Sequence, residues 1–351
     1  MSRTLEVIAA HPGVTVQDGG RPGLLASGVS RGGAMDPRAL DEAGALLRTS
    51  VTAAIEMAGH GGRFRIAGGD AVIALTGAPM RAEVGGRRLA WPGSHHISDG
   101  DTLSIGPAER GVYGYLSVDG GFELPKILGA VSAHLLAGLG APLASGDALP
   151  LGPPSGAEAG MTFDQEDRFS GGTVRLLPSA QTDRFGPEQI ARLEQEAFAK
   201  DARANRQGAR LSIEGEGFAA EGGLSVTSEA IVPGDIQIVG AGAPFVLLAE
   251  CQTTGGYPRI ATVIPPDLPR IAQAPAGAEL RFRFVTLEEA LEARRADRAA
   301  AAKLARALRP LIRDPAEIDD LLAYKLIDGV TSGDEHDPPE DAAERERDTR
   351  P

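Results

Sequence analysis

Cys251 is the only cysteine among 351 residues, so no intrachain disulfide can form and a reducing compartment is the natural setting. No window approaches the roughly 18 consecutive apolar residues of a membrane-spanning helix. The apolar stretch at residues 7–10 is too short for a signal-peptide core, so the cytoplasm is the expected location. No stripe of lysine and arginine is visible, which argues against nucleic acid as a partner. The phosphate loop Gly-x-x-x-x-Gly-Lys-Ser/Thr is missing, and with it the usual nucleoside-triphosphate cradle. His11, His60, His134 and His336 show no ligand spacing. The adjacent His95 and His96 would point to opposite faces of a strand, so no metal is expected.

Negative charge is in excess, at −13, but unevenly. Residues 314–351 hold 13 acidic against 4 basic side chains, so the acidity belongs to a tail and says little about an active surface. Hydrophobic residues at 42% and charged residues at 24% are ordinary for a soluble globular protein. With 46 glycines, 25 prolines and only 4% aromatics, many turns and few long helices are expected. That fits a mainly β body with minor α. The length exceeds what one compact core usually holds, so two domains are expected.

Short apolar runs bounded by Gly, Pro and Asp dominate the first 285 residues. Ala71-Val72-Ile73-Ala74-Leu75 and Phe245-Val246-Leu247-Leu248-Ala249 have the length and flanks of buried strands. Each is followed some way on by a turn feeding an alternating strand: Gly100-Asp101-Thr102-Leu103-Ser104-Ile105, and Gly277-Ala278-Glu279-Leu280-Arg281-Phe282. This echo points to two related β-domains, residues 1–155 and 156–286, with a boundary near the Pro/Gly-rich residues 150–156. One helix is expected from Pro187, a proline at the first helical position with acids in the first turn. Another is expected over residues 287–308, rich in Ala, Arg, Glu and Leu, within a C-terminal helical segment 287–313. Residues 314–351 are expected to be largely disordered, apart from a short amphipathic piece around 318–327.

Gly28-Val29-Ser30-Arg31-Gly32 matches the nucleophile-elbow pattern Gly-x-Ser-x-Gly. An elbow needs a strand before it and a helix right after. Here Arg21-Pro22-Gly23 precedes and Gly33 follows, so a glycine-rich loop is the better reading. Three polar clusters remain. The first is Gln17-Asp18-Gly19-Gly20-Arg21-Pro22-Gly23 with the loop from Gly28 to Asp36; the second is Asn205-Arg206-Gln207-Gly208-Ala209-Arg210. The third joins Gly234-Asp235-Ile236-Gln237 to Glu250-Cys251-Gln252-Thr253-Thr254-Gly255-Gly256-Tyr257-Pro258. Singly, each has a structural explanation: Asp18 with Arg21 as a turn ion pair, Asp36 before Pro37 as a helix cap, Arg206 and Arg210 as an exposed pair. Together they place carboxylates, guanidinium groups and amides on glycine loops that let a ligand approach the backbone. That composition suits a small polar or carboxylate-bearing ligand.

At these residues the chain resembles a known family. The stretch 17–23, the loop 28–36, Leu75-Thr76-Gly77-Ala78 and Tyr115-Leu116-Ser117-Val118-Asp119-Gly120-Gly121 carry the resemblance. So do Gln252-Thr253-Thr254-Gly255-Gly256-Tyr257-Pro258, and Asp267-Leu268 leading to Ile271-Ala272-Gln273. In that order, over about residues 5–285, they are similar to the C-type subunits of bacterial 5-oxoprolinases, the biotin-dependent carboxyltransferase-like (allophanate hydrolase subunit 2, KipA-like) family. The resemblance implies two cyclophilin-like β-barrel domains. It also implies a share in the ATP-dependent opening of the 5-oxo-L-proline lactam to L-glutamate, inactive alone and working with the A and B subunits (allophanate hydrolase subunit 1-like and LamB/YcsF-like proteins). ATP is then a co-substrate at a site shared with, or on, a partner. No lysine has an Ala-Met-Lys-Met-like context, Lys126 being the nearest candidate, so biotin is not expected on this chain. The alternatives are a carboxyltransferase component of a biotin-dependent urea or amide carboxylase, and a non-catalytic partner-binding regulator. The chain departs from the family at Leu128-Gly129-Ala130-Val131-Ser132-Ala133, where Leu-Gly-Ser-x-Ser-Thr is usual, and at Asn205, Gln207 and Glu250.

On this reading Asp18, Arg206, Arg210 and Glu250 are the candidate catalytic residues. Arg206 or Arg210 would hold the substrate carboxylate or charge developing on phosphate, and Asp18 or Glu250 would orient water or act as a general base. Gln17, Arg21, Asp36, Gln237, Gln252, Thr254 and Tyr257 are the candidate substrate contacts.

Overall fold

A computed structural model describes residues 3–312; the expected acidic tail and its amphipathic piece lie outside the described residues. The chain begins with β1 (Thr4–Ala10), β2 (Thr15–Gln17), α1 (Pro37–Leu46), β3 (Ala54–Ala58), β4 (Gly62–Ala67) and β5 (Ala71–Gly77). It continues with β6 (Met80–Val84), β7 (Arg87–Arg88), β8 (Gly93–Ile97), β9 (Thr102–Ala108), β10 (Tyr113–Val118), β11 (Ala148–Pro150) and β12 (Met161–Thr162). Then come β13 (Gly172–Leu177), α2 (Pro187–Gln195), β14 (Ala197–Lys200), β15 (Gly208–Ser212), β16 (Glu229–Ala230) and β17 (Asp235–Val239). The last are β18 (Ala243–Leu247), β19 (Thr254–Gly255), β20 (Arg259–Val263), α3 (Leu268–Gln273), β21 (Glu279–Phe284), α4 (Leu287–Lys303) and β22 (Arg309–Pro310). The fold is mostly β with minor α, as the composition indicates.

The strands up to β11 form two sheets, ordered β11-β1-β4-β9-β6-β7 and β2-β3-β10-β5-β8. In β4, Phe64 and Ile66 are buried while Arg63 and Arg65 face solvent, the period of two of a half-buried strand. The second sheet is covered on both faces. All six residues of β10 are buried: Leu116 and Val118 join the same apolar cluster as Val7, Phe64 and Ile73. Tyr113 and Tyr115, on the other face, share a cluster with Leu248, Ile271 and Ala272. Two-sided burial is why β5 appears in the sequence as an unbroken apolar run rather than an alternation.

The later strands close a seven-stranded barrel, β13-β20-β17-β18-β15-β14-β21, filled by Val174, Phe198, Leu211, Ile236, Ile260 and Phe282 among others. Closure removes the unpaired edges an open sheet would expose; the ring is completed by the parallel pairing of β13 with β21. Helix α2 starts at Pro187 as expected. Helix α4 begins at a Thr286–Glu289 capping box, which satisfies two free N–H groups reciprocally. It ends at Lys303, five residues short of the expected 308. A 3-10 turn follows (Leu304–Arg306), Leu304 and Leu308 pack against the cluster of Leu46, Leu47 and Phe163, and β22 pairs with β12. Helices α1 and α3 were not legible as helical runs. Asp36 does occupy the N-cap position of α1, but its side chain makes no cap hydrogen bond; it turns instead to Arg168, at 2.7 Å.

The loops around residues 18–23 and 28–36 cross at backbone contact. Arg21 N donates to the Arg31 carbonyl at 2.7 Å, and Ala34 N donates to the Asp18 carbonyl at 2.9 Å. A Cβ on Gly33 would meet Gly20 N at 2.7 Å and the Asp18 carbonyl oxygen at 2.8 Å, and its φ is +83°. Gly28 has a similar φ of +77° but open space around it. Gly33→Ala is therefore expected to destabilise by more than about 2 kcal/mol, against about 1 kcal/mol for Gly28→Ala. Urea midpoints of the two variants check this, and equal shifts would show that the crossing is not close-packed.

Candidate functional site

The crossed loops hold the segment 127–133 in place. Asp18 accepts Gly20 N and Val131 N, one on each carboxylate oxygen and each at 2.8 Å. The Arg21 guanidinium, almost wholly buried, donates to the Ile127, Ala130 and Ser132 carbonyls and to Ser132 Oγ. Gln17 Nε2 donates to Thr15 Oγ1 and to the Ala133 carbonyl. The bonds of Asp18 and Arg21 are charge-assisted, the strong kind, and with the neutral amide of Gln17 they mount this segment.

Beneath the loops runs a chain of buried charge. Arg206, just ahead of β15, donates from Nε to Glu250 at 2.5 Å and from Nη2 to the Gly33 carbonyl at 2.7 Å, and pairs through Nη1 with Glu56. Burial opposes charge on Arg206, but Glu56 and Glu250 outweigh it and hold the guanidinium above its usual range. Glu56, on β3, also accepts Met35 N at 2.8 Å and the Tyr115 hydroxyl at 2.7 Å. Burial and the Glu56 charge hold the Tyr115 phenol well above its usual value, so it stays a donor. That hydroxyl in turn accepts Asp36 N at 2.8 Å. Asp36 accepts Arg168 Nε and Gln273 Nε2 at 2.7 and 2.9 Å, and Arg168 reaches Glu42 at 2.7 Å. Burial pushes the Glu42 carboxyl up, with Arg168 opposing. The cost of desolvating the carboxylate outweighs its pairing with Arg168. At the far end, Glu250 accepts Leu136 N at 3.2 Å and lies 3.9 Å from His134 Nδ1. His134 Nε2 is 2.9 Å from Ser30 Oγ.

A cleft of about 610 Å³ opens beside this chain, between loop residues 18–38, residues 232–233 and 265–269, and α4. Its size falls in the range of small-molecule sites. Leu25, Val29, Met35 and Leu268 line it together with several prolines; Ser30, Arg31, Asp41 and Arg294 supply polar groups. Arg31 is exposed and donates its Nε to the Gly19 carbonyl, leaving its terminal nitrogens for a ligand. Burial, then the nearby Asp297, push the Asp41 carboxyl up, with Arg38 opposing.

The structure brings Gln17, Asp18, Arg21, Asp36, Arg206 and Glu250 together, but commits their side chains to the protein itself. Each of the three Arg206 nitrogens already has a protein acceptor, and each Asp18 oxygen already has a donor. Arg210 does not join them: it points outward from β15 between the buried Ala209 and Leu211, as alternate strand residues do. Gln237 is buried in β17 with its Nε2 unpartnered, close under Gly255. Gln252, Thr254 and Tyr257 are exposed, and none of these four lines the cleft. The sequence reading missed Arg31, Asp41, Arg294, Glu56 and Arg168. Arg31 had a signal in the glycine loop; Asp41, on a helix the sequence did not show, and Arg294 had none.

Arg206→Leu, which leaves Glu56 and Glu250 buried without a counter-charge, is expected to cost about 3–5 kcal/mol. Arg210→Ala is expected to stay within about 0.5 kcal/mol of the parent, with urea midpoints as the readout. The imidazoles of His95 and His134 are held below their ordinary value of 6.5, in both cases mainly by burial. The unfolded chain therefore takes up these protons first, and stability present above about pH 6.5 is lost as pH falls below it. Removal of this acid loss in a His134→Gln, His95→Gln double variant checks the assignment.

Residues 27–284 match the family described as carboxyltransferase domain, subdomain A and B. The C-type 5-oxoprolinase subunit of Escherichia coli (strain K12) is 34% identical over 302 residues, covering 83% of this chain and 94% of the relative. The crystal structure of TTHA0988 is 32% identical with a TM-score of 0.73, covering 80% of this chain and 56% of that one; the chain thus spans about half of that protein's length. The crystal structure of Kluyveromyces lactis urea carboxylase, 21% identical, has the same fold, with a TM-score of 0.76 over 89% of this chain and 31% of that one. Matched across the barrel, the second of the crossed loops and most of the cleft, this chain belongs to the carboxyltransferase domain, subdomain A and B, family.

Proposed function

We propose that this chain is the C-type subunit of an ATP-dependent 5-oxoprolinase and that it receives 5-oxo-L-proline in the cleft. The observation that carries the reading is 34% identity to a protein named as that subunit, across 94% of its length. The chemistry of the cleft supports it. The apolar wall of Val29, Met35 and Leu268 suits the ring methylenes, and Arg31 and Arg294 suit the carboxylate through bidentate donation. Asp41, whose carboxyl is raised, replaces Asp18 and Glu250 as the group that orients water or takes a proton.

A lactam is a weak electrophile, and placing a phosphoryl group on its oxygen makes ring opening by water feasible at neutral pH. The N-terminus of α1 offers ATP no anion site of the kind helix starts can provide, because Asp36 sits there, held by Arg168 and Gln273. ATP then binds on, or at a site shared with, the A and B subunits, which would be allophanate hydrolase subunit 1-like and LamB/YcsF-like proteins. No described helix is long and apolar enough to cross a membrane, and the proposed setting is the cytoplasm.

The family description favours carboxyl transfer as a second reading, with a biotinylated carrier supplied from elsewhere. Co-purification with the partner subunits separates the two. ATP-dependent release of glutamate from 5-oxoproline, abolished by omitting this chain and slowed about tenfold or more in kcat/KM by Arg31→Ala, is the expected result. Turnover that instead requires carboxybiotin would overturn the oxoprolinase reading.

A further inference from the structure

Ser30 occupies the serine position of the Gly-x-Ser-x-Gly pattern, and the structure places it beside a histidine and a glutamate. Ser30 is 2% exposed, lines the cleft, and its Oγ lies 2.9 Å from His134 Nε2. His134 Nδ1 in turn lies 3.9 Å from Glu250 Oε2. The residue types are those of an acyl-transfer triad, but the hydrogen bonds are arranged otherwise. In such a triad the imidazole donates from Nδ1 to the carboxylate and accepts the serine proton at Nε2. Here Nδ1 faces the backbone N–H of Ala137 at 3.2 Å, a donor that it shares with the His134 carbonyl at 3.1 Å, and this contact favours Nδ1 as the acceptor nitrogen. The carboxylate is beyond hydrogen-bond range. Glu250 has its own donors in Arg206 Nε and Leu136 N. With Nδ1 accepting, the imidazole carries its proton on Nε2 and donates it to Ser30 Oγ. That leaves the Ser30 hydroxyl proton with no acceptor among the described residues, in a side chain that lines the cleft.

We propose that Ser30 is a fixed hydrogen-bond donor to a carbonyl or carboxylate oxygen of the ligand in the cleft, oriented by His134, and is not a nucleophile. The ligand class is a small amide or lactam with its oxygen at Ser30 and its apolar body against Val29 and Met35. His134 is a positioning residue: it holds Oγ through a lone pair, so the O–H bond points away from the imidazole and toward the cleft. The inference rests on the cleft being the amide site, and it deepens that reading by naming the donor.

The test measures binding of 5-oxoproline, 2-pyrrolidone and urea to the full-length chain by titration calorimetry, beside labelling with a fluorophosphonate. The expected results are no covalent labelling, binding of at least one amide, and affinity for it weakened about tenfold in Ser30→Ala at a temperature where that variant is still fully folded. His134→Gln, whose amide N–H can replace the Nε2 donor, is expected to keep affinity within about threefold, whereas a lost general base would be fatal to turnover. Binding of pyrrolidone or urea but not 5-oxoproline would defeat the oxoprolinase substrate while leaving the Ser30 donor standing. Fluorophosphonate labelling at Ser30, equal affinities in wild type and Ser30→Ala, or no binding of any of the three amides would each overturn the proposal.

Discussion

The Arg206 guanidinium is the point on which the site's architecture depends. It reaches Glu56 on β3, Glu250 just beyond β18, and the carbonyl of Gly33 in the crossed loops. One planar fork thus ties the first pair of sheets, the barrel and the cleft wall to one another. A buried charge of this sort contributes less by net attraction than by the penalty for any arrangement that leaves one partner alone. It therefore fixes register between the two sheet systems more than it adds stability. The tight crossing at Gly20 and Gly33 acts in the same direction, because neither loop can shift without meeting the backbone of the other.

This constraint explains a division of labour among the polar residues. Asp18, Arg21, Asp36, Arg206 and Glu250, whose side chains are bonded to other groups of the protein, hold it in shape. The groups with capacity left over, Arg31, Arg294, Asp41 and Ser30, stand on the wall of the cleft. The cleft wall thus presents polar groups above an apolar floor, the features on which the proposed amide site rests.

The class of fold was legible in the sequence because short apolar runs between glycines and prolines have few other physical solutions. The runs at Ala71 and Phe245 became β5 and β18, and the turns at Gly100 and Gly277 feed β9 and β21. Helix α2 was legible from Pro187, while α1 and α3 were hidden, their apolar faces being short and shared with strands. The polar clusters were visible as clusters, but the glycines at 20 and 33, read as room for a ligand, admit the backbone of the other loop instead. What a sequence could not give was how each side chain would be used. Whether Arg206 faces a ligand or two carboxylates depends on Glu56, some 150 residues away, and the outward direction of Arg210 depends on the phase of β15. The pairing of Ser30 with His134 likewise depends on contacts across a long stretch of chain, which no local pattern encodes.

A double-mutant cycle on Glu56→Gln and Arg206→Met, read from urea unfolding, tests the central claim most directly. If the Arg206 fork holds the sheets to the barrel, the coupling energy should be at least about 2 kcal/mol, as found for close, desolvated charge pairs. Additive effects, within about 0.5 kcal/mol, would contradict it and show that the apolar contacts alone set how the sheets and the barrel meet.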